Sequence, residues 1–499
     1  MTIGASLIGS RSLDPAHSYG LLNLFRRVAA HTAVIITSSV LIIVFYAWHR
    51  LHRLPAQART TGDSNAYLTL QSFRPPLYGW FLHGWIWLHG SLTGLPTLQF
   101  LILLAGLLAF SAQLGLMLRN ALVALAVVPL VMAQPGIYDA PGWMMTESLY
   151  LSLILVAMAL LFRHVRRGGG RNLVAAALLF GMTTILRSTG IVFLLLPMAI
   201  PVFDKRTDLR RGLRTALVAG IASMLVLLCA MGWNEARHGH FEIGSWSGIS
   251  LLTKALLLIT PADAADLPSP IQAVLPYAEK DRALIAAQPD LAARLRAQVQ
   301  AASSDLRWGV FIPAAEKTWP AWQQADWRMR GRMAGDVSKT LIRRHPSGAA
   351  ALWANDWLSL VIQPAYWPAG MTRVTPDKRA FIACGQDNNC WALARYDLPP
   401  LDRIVLLGVS MAGAIVALLV IMLSIRPVLS RRADATTTLF CVTALVLHAS
   451  LLLSSAFESG HVRYTVAMHV LELPMLIWLV MIAARRISTH RPRITEVRP

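Results

Sequence analysis

Charge is scarce in this chain. Only 14 % of its 499 residues are Asp, Glu, Lys or Arg, and acidic residues number 26 against 46 basic ones. With 55 % hydrophobic residues and a mean hydropathy of +0.50, that scarcity excludes a soluble globular fold. No Gly-rich phosphate loop, internal repeat or low-complexity tract is present, so nothing marks a nucleotide site or a solenoid. The first apolar stretch has span length and no small-residue cleavage site after it, which reads as an uncleaved anchor. Cysteine is rare as well, at 4 residues. Cys229 and Cys441 fall in apolar runs and read as inert small residues, whereas Cys384 and Cys390 are disulfide candidates that would close the Gly385–Asn389 loop. A metal site at these two Cys lacks a nearby His pair to complete the ligand set.

What the chain does have is apolar runs that approach or reach bilayer length, such as Val34–Ala47 and Ile404–Ile425. Ten spans are expected, over 31–48, 97–118, 121–138, 145–162, 173–188, 190–203, 215–233, 403–425, 436–456 and 463–484. The net charge of +20 would suggest nucleic acid in a soluble protein, but its distribution removes that reading. With the N-terminus inside, one side collects 21 basic and 5 acidic residues and the other 25 basic and 21 acidic. The positive-inside rule then places both termini in the cytoplasm, and a multi-pass protein of the inner (cytoplasmic) membrane is expected. Leu77–His89 and Trp246–Ile259 are apolar but short, and either crossing alone would invert every later Arg-rich loop. Both are expected as interfacial helices in the outer leaflet, with Trp80, Trp85 and Trp87 at headgroup depth.

The fold class is therefore an all-α polytopic membrane protein with outer-face interfacial helices and a mostly helical extracytoplasmic segment. An N-terminal module, 1–233, holds seven spans and a first outer loop, 49–96; an extracytoplasmic segment covers 234–402; a C-terminal module, 403–499, holds three spans and a cytoplasmic tail. The segment is expected to be helical over Pro270–Gln288, Asp290–Ala302, Trp322–His345 and Pro346–Ile362. Its tryptophans, Trp308, Trp319, Trp322, Trp327, Trp353, Trp357, Trp367 and Trp391, suit a domain resting on the bilayer or gripping a carbohydrate, core packing being the ordinary alternative.

Polar residues gather at the outer ends of the spans. The first loop reads Gly62-Asp63-Ser64-Asn65-Ala66-Tyr67 and then Ser72-Phe73-Arg74-Pro75-Pro76-Leu77-Tyr78. Arg74 precedes a proline and must be extended, while Pro76 can open the helix that follows, so the corner holds a guanidinium at headgroup depth. Asp63 serves either as a general base or as a helix cap. On the same side lie Asp139 and Glu147, flanking the outer hairpin between spans three and four, Arg187 in Leu186-Arg187-Ser188-Thr189-Gly190, and Glu458, His461, Arg463 and Tyr464 at the last outer turn. Ionisable groups beside spans are costly, and several at one face point to a shared polar pocket. His238-Gly-His240-Phe-Glu242 offers metal-ligand types on alternate positions, against a solvated loop after the seventh span.

Asp63 and Tyr67 followed by Arg74-Pro-Pro-Leu-Tyr78 resemble the first-loop pattern of GT-C-fold membrane glycosyltransferases, the superfamily of protein O-mannosyltransferases and the lipid A aminoarabinose transferase. Thr146-Glu147-Ser148-Leu149-Tyr150, Leu186–Gly190 and Arg463-Tyr464 are similar to recurring elements of the same group. The resemblance implies a polyprenyl-phosphate sugar donor, with transfer to a glycolipid, polysaccharide or protein hydroxyl at the outer face, inverting if attack is direct. Asp63 is then the candidate base, and Arg74, Arg187 and Arg463 the donor-phosphate ligands. Tyr67, Tyr78, Asp139, Glu147, Glu458, His461 and Tyr464 are expected to orient sugar or acceptor. Some relatives have paired acidic residues where this chain has Asp63-Ser64, so a divalent cation stays an open question. A polymerase or ligase using a diphosphate-linked donor and a transporter or lipid flippase are the competing readings. Transport fits less well, because the charges sit at one face and no repeated halves are visible.

Overall fold

The computed structural model describes residues 37, 40–61, 63–134, 137, 140–244, 247–362, 371–373, 383–384, 390–393, 400–457 and 466–489. Among these, five helices are long and apolar enough to cross a membrane: Leu95–Leu118, Glu147–Arg167, Leu209–His238, the Ala412–Leu429 part of Pro400–Leu429, and Ala435–Phe457. The other expected spans that fall on described residues coincide with helices 40–53, Ala121–Met132, Gly170–Thr184, Leu195–Phe203 and Val466–Thr489. Ala121–Met132 has 12 residues where eighteen were expected. Asn120 caps its start by accepting from the Leu122 and Val123 amides, and the sequence runs into Pro135-Gly136 soon after its end.

The central packing is a chain of neighbours. Leu95–Leu118 lies against Glu147–Arg167, which packs on Gly170–Thr184, which packs on Leu209–His238. Small residues permit these approaches: a Cβ at Gly106 would stand 3.1 Å from the Ser152 carbonyl, and one at Gly181 3.0 Å from that of Ser223. Ala435–Phe457 packs against both Leu195–Phe203 and Pro346–Ile362, so the last helices join one core with the first ones. Leu209–His238 turns Leu213, Leu217, Ile221, Leu225 and Leu228 outward, an apolar face suited to lipid.

A second core belongs to residues 249–341. Its spine is Ser247–Ala255 with the 3-10 turn Leu256–Leu258, and Ile249, Leu252, Ala255, Leu256 and Leu257 are all buried there. The outer-leaflet position expected for Trp246–Ile259 is corrected accordingly, since its apolar side chains face protein. The helices over Pro270–Ala286, Leu291–Gln300 and Pro346–Ile362 follow expectation. The one expected over Trp322–His345 is divided into Pro320–Gln324 and Trp327–Arg344, because Asp326 caps the second by accepting from the Met329 amide at 2.7 Å.

The all-α expectation misses a small antiparallel sheet of β1 (Met371–Arg373), β2 (Ala383–Cys384) and β3 (Cys390–Leu393), in the order β1-β3-β2. Cys384 and Cys390 are directly opposed in its register. Too few residues form these strands for an alternation pattern to reveal them.

Candidate functional site

The first outer loop folds back on itself. Residues 63–68 form one turn of helix, Ser64–Leu68, and Leu70 takes a left-handed conformation, φ 50°, that reverses the chain. The Gln71 amide donates to the Ala66 carbonyl at 3.0 Å and the Arg74 amide to the Gln71 carbonyl at 3.1 Å. Pro75-Pro76 then opens helix Leu77–His89, which lies so close to the reversed turn that a Cβ at Gly79 would stand 2.8 Å from the Tyr67 carbonyl. The Ser64 hydroxyl donates to the Met144 carbonyl at 3.1 Å, tying the loop to the hairpin before Glu147.

This fold bears on the capping reading of Asp63. Asp63 stands at the cap position of Ser64–Leu68, yet its side chain makes no capping bond and instead ion-pairs with the Arg74 guanidinium. Both side chains remain partly accessible, at 27 % and 18 %. Arg74 also lies over the rings of Tyr67 and Phe73, at 5.8 and 5.5 Å.

A second ion pair stands close by. Arg187, just ahead of the 3-10 turn Ser188–Leu194, donates from Nη1 to Oε1 of Glu147 at 2.8 Å and covers the Tyr150 ring at 5.6 Å. Glu147 is buried in the first turn of Glu147–Arg167, and its other oxygen, Oε2, is buried with no hydrogen-bond partner among the described residues.

Tyr67 unites the two pairs. Burial pushes its hydroxyl up to about 12; Arg74 pulls the other way, Asp63 and Glu147 add to the rise, and Arg187 opposes it, so all four charges act on one phenol. Tyr78 meets Tyr67 edge-on at 5.0 Å, and its pKa is raised by burial, then by Tyr67 and Glu147. The Tyr78 hydroxyl donates to Gln99 Oε1 at 2.9 Å, and Gln99 Nε2 donates to the Pro141 and Trp143 carbonyls at 2.9 and 3.0 Å. Gln99 thus locks the tyrosines to the hairpin, a role that sequence reasoning missed. Its only signal was an amide in the apolar run Leu95–Leu118, which also carries Gln113.

A narrow, closed crevice lies beside this cluster, lined by Tyr67, Gln71 and Arg74 together with Leu70, Pro75, Pro76 and Trp233. Trp233, also unforeseen, comes from the C-terminal end of Leu209–His238 and packs edge-on against Trp80 at 5.1 Å.

Two solved structures superpose loosely on the chain. The archaeal oligosaccharyltransferase AglB from Archaeoglobus fulgidus, in complex with an inhibitory peptide and a dolichol-phosphate, matches 95 % of this chain and 53 % of its own at 11 % identity and a TM-score of 0.38. ArnT from Cupriavidus metallidurans, bound to undecaprenyl phosphate, matches 92 % of this chain and 81 % of its own at 12 % identity and a TM-score of 0.34. Both are GT-C-fold glycosyltransferases. The chain spans about half the length of the archaeal enzyme, and superpositions this loose establish no residue correspondence. No protein-family profile matches the chain, and no curated protein matches it in sequence.

Of the remaining expected site residues, Asp139, Glu458, His461, Arg463 and Tyr464 lie outside the described residues, as do the side chains of Cys384 and Cys390. His240 and Glu242 are engaged with the helix Trp327–Arg344 instead of with a metal. Arg328 Nη1 donates to His240 Nδ1 at 2.9 Å and its Nε lies 3.4 Å from Glu242. Among the described residues no three of His, Cys, Asp and Glu are grouped so as to hold a metal ion.

Proposed function

We propose that this chain is a GT-C-like membrane glycosyltransferase that moves a sugar from a polyprenyl-phosphate donor to an acceptor hydroxyl at the extracytoplasmic face. The observation that carries the reading is the pair of ion pairs, Asp63–Arg74 and Glu147–Arg187, gathered about Tyr67 beside a narrow crevice of mixed polar and apolar lining. The donor's anionic head matches this cluster: the phosphate meets Arg74, and the isoprenoid enters only as the closed walls Leu70, Pro75, Pro76 and Trp233 part. The proposed topology has ten spans, both termini in the cytoplasm and 234–402 outside, with 1–233 and 403–499 in the membrane, as the basic loops require.

The Asp63–Arg74 contact suggests how the site is loaded. A donor phosphate competes with Asp63 for the guanidinium and so frees the carboxylate. The acceptor hydroxyl then attacks the anomeric carbon and gives its proton to Asp63, while the carbon–oxygen bond to phosphate breaks and the lipid phosphate leaves with both electrons. Arg74 stabilises the charge that develops on the leaving oxygen, which is where preorganised donors have their largest effect. Glu147 Oε2 is buried and unpartnered among the described residues; in this reading it accepts from a sugar hydroxyl once the site opens, and Arg187 orients Glu147. Direct attack inverts the anomeric centre.

Mass spectrometry of cell-envelope glycans from cells with and without the gene tests the proposal. One sugar residue is expected to vanish and to return with the wild-type chain but not with Asp63→Asn. Identical glycans in both cell lines would remove the glycosyltransferase reading.

A further inference from the structure

Base and phosphate ligand leave the acceptor without a place, and the residue before Arg74 indicates one. Phe73, buried in the first loop, meets Trp327 of helix Trp327–Arg344 with ring centroids 5.5 Å apart, and Trp327 meets Trp308 at 6.4 Å. The three rings form a row that starts beside the Asp63–Arg74 pair and ends at the surface, where Trp308 is 37 % exposed. Cations hold the rings in place. Arg330 lies over Trp327 at 5.3 Å while its Nε donates to the Trp322 carbonyl at 3.1 Å. Arg307 lies over Trp308 at 5.3 Å while its Nη1 donates to the Thr253 hydroxyl at 2.7 Å. Rings fixed in this way lose little freedom when a ligand arrives.

The edge of the row is charged. Arg328 reaches both His240 and Glu242, and His240 Nε2 stands 3.5 Å from Asp326, itself 60 % exposed. Planar guanidinium and carboxylate groups beside aromatic faces make a surface of mixed character. A lipid chain on it would strip water from the charges without replacing their hydrogen bonds. A saccharide would satisfy both parts, its C–H faces stacking on the rings and its hydroxyls pairing with the rim.

We propose that Trp308 and Trp327, backed by the buried Phe73, form the acceptor subsite and that its occupant is a carbohydrate chain, which presents a hydroxyl to Asp63 at the Phe73 end. This rests on the glycosyltransferase reading of the neighbouring ion pairs. It assigns to residues 234–402 the task of holding the acceptor over a site built by the first loop.

The test uses the purified full-length protein in detergent. The probe is the end-labelled oligosaccharide fraction released from the envelope of cells lacking the gene, which carries the unmodified acceptor. Trp308→Ala is expected to bind this fraction about tenfold more weakly than wild type, and Trp327→Phe to retain most of the affinity. Both are expected to bind undecaprenyl phosphate as wild type does. Equal oligosaccharide affinity in wild type and Trp308→Ala, or no binding by wild type, overturns the subsite. So does a loss in Trp308→Ala confined to binding of phosphatidylglycerol vesicles, which would make the row a membrane contact. Arg74→Ala separates the two levels: if it binds undecaprenyl phosphate like wild type, the glycosyltransferase reading itself fails, whatever the tryptophans do.

Discussion

Arg187 Nη1 and Glu147 Oε1 lie 2.8 Å apart and join the turn before Ser188–Leu194 to the start of Glu147–Arg167, with side chains only 13 % and 6 % exposed. Removing one partner strands the other as a buried charge, so Glu147→Gln or Arg187→Met alone should each lower stability by on the order of 3 kcal/mol. The double variant should recover a large part of the sum. Thermal unfolding of the four proteins in one detergent measures this cycle, and strictly additive losses would mean that the pair does not act as a unit.

Tyr67 should act as a neutral hydroxyl throughout the working range. Its pKa stands at about 12, raised first by burial and further by Asp63 and Glu147. In the pH dependence of transfer, Tyr67→Phe should lower the rate by roughly tenfold or less, the worth of one hydrogen bond, and leave the shape of the profile between neutrality and mild alkali unchanged. Loss of an alkaline limb in this variant would make Tyr67 a titrating participant.

Much of this site could be read from the first loop alone, because Asp63, Tyr67 and Arg74-Pro-Pro-Leu-Tyr78 are local in sequence. The direct contact of Asp63 with Arg74 was not legible. It depends on the left-handed Leu70 and on the Ser64 bond to Met144, neither of which has a residue signature. Glu147 and Arg187 were recognisable as charges on one face, but their pairing requires knowing that Glu147–Arg167 and Gly170–Thr184 are packed neighbours. Ser247–Leu258 was misplaced for a general reason: apolar side chains in a short helix look alike whether lipid or protein covers them.

Acid should loosen the segment after Leu209–His238 in a defined window. Burial alone would raise the Asp263 pKa, but bonds from Thr260, His345 and Arg344 outweigh it and bring the carboxyl to about 2. A folded-state value below the ordinary carboxylate range means that the stabilisation is present above about pH 4 and lost as pH falls toward 2. Asp263→Asn should therefore speed limited proteolysis at pH 7 and make little difference near pH 2. An equal effect at both pH values would contradict the assignment.

Gly248 should tolerate no side chain. A Cβ there would run into the Gly331 carbonyl, where Ser247–Ala255 crosses Trp327–Arg344, and the gap to Gly335 is filled as well. Gly248→Ala should cost about 1–3 kcal/mol or more, seen as a lower unfolding temperature, whereas Gly309→Ala, with open space around it, should cost far less. Equal melting of the two variants would show that the crossing can relax.

The competition between donor phosphate and Asp63 for Arg74 is the centre of the account, and binding of undecaprenyl phosphate to the purified protein tests it most directly. Arg74→Ala should abolish most of the binding and Arg74→Lys should keep part of it, since a point charge still meets a phosphate. Asp63→Asn should bind the lipid phosphate several-fold more tightly than wild type while losing transfer, because the guanidinium has lost its internal partner and the reaction its base. Weaker binding by Asp63→Asn, or unchanged binding by Arg74→Ala, would contradict the account.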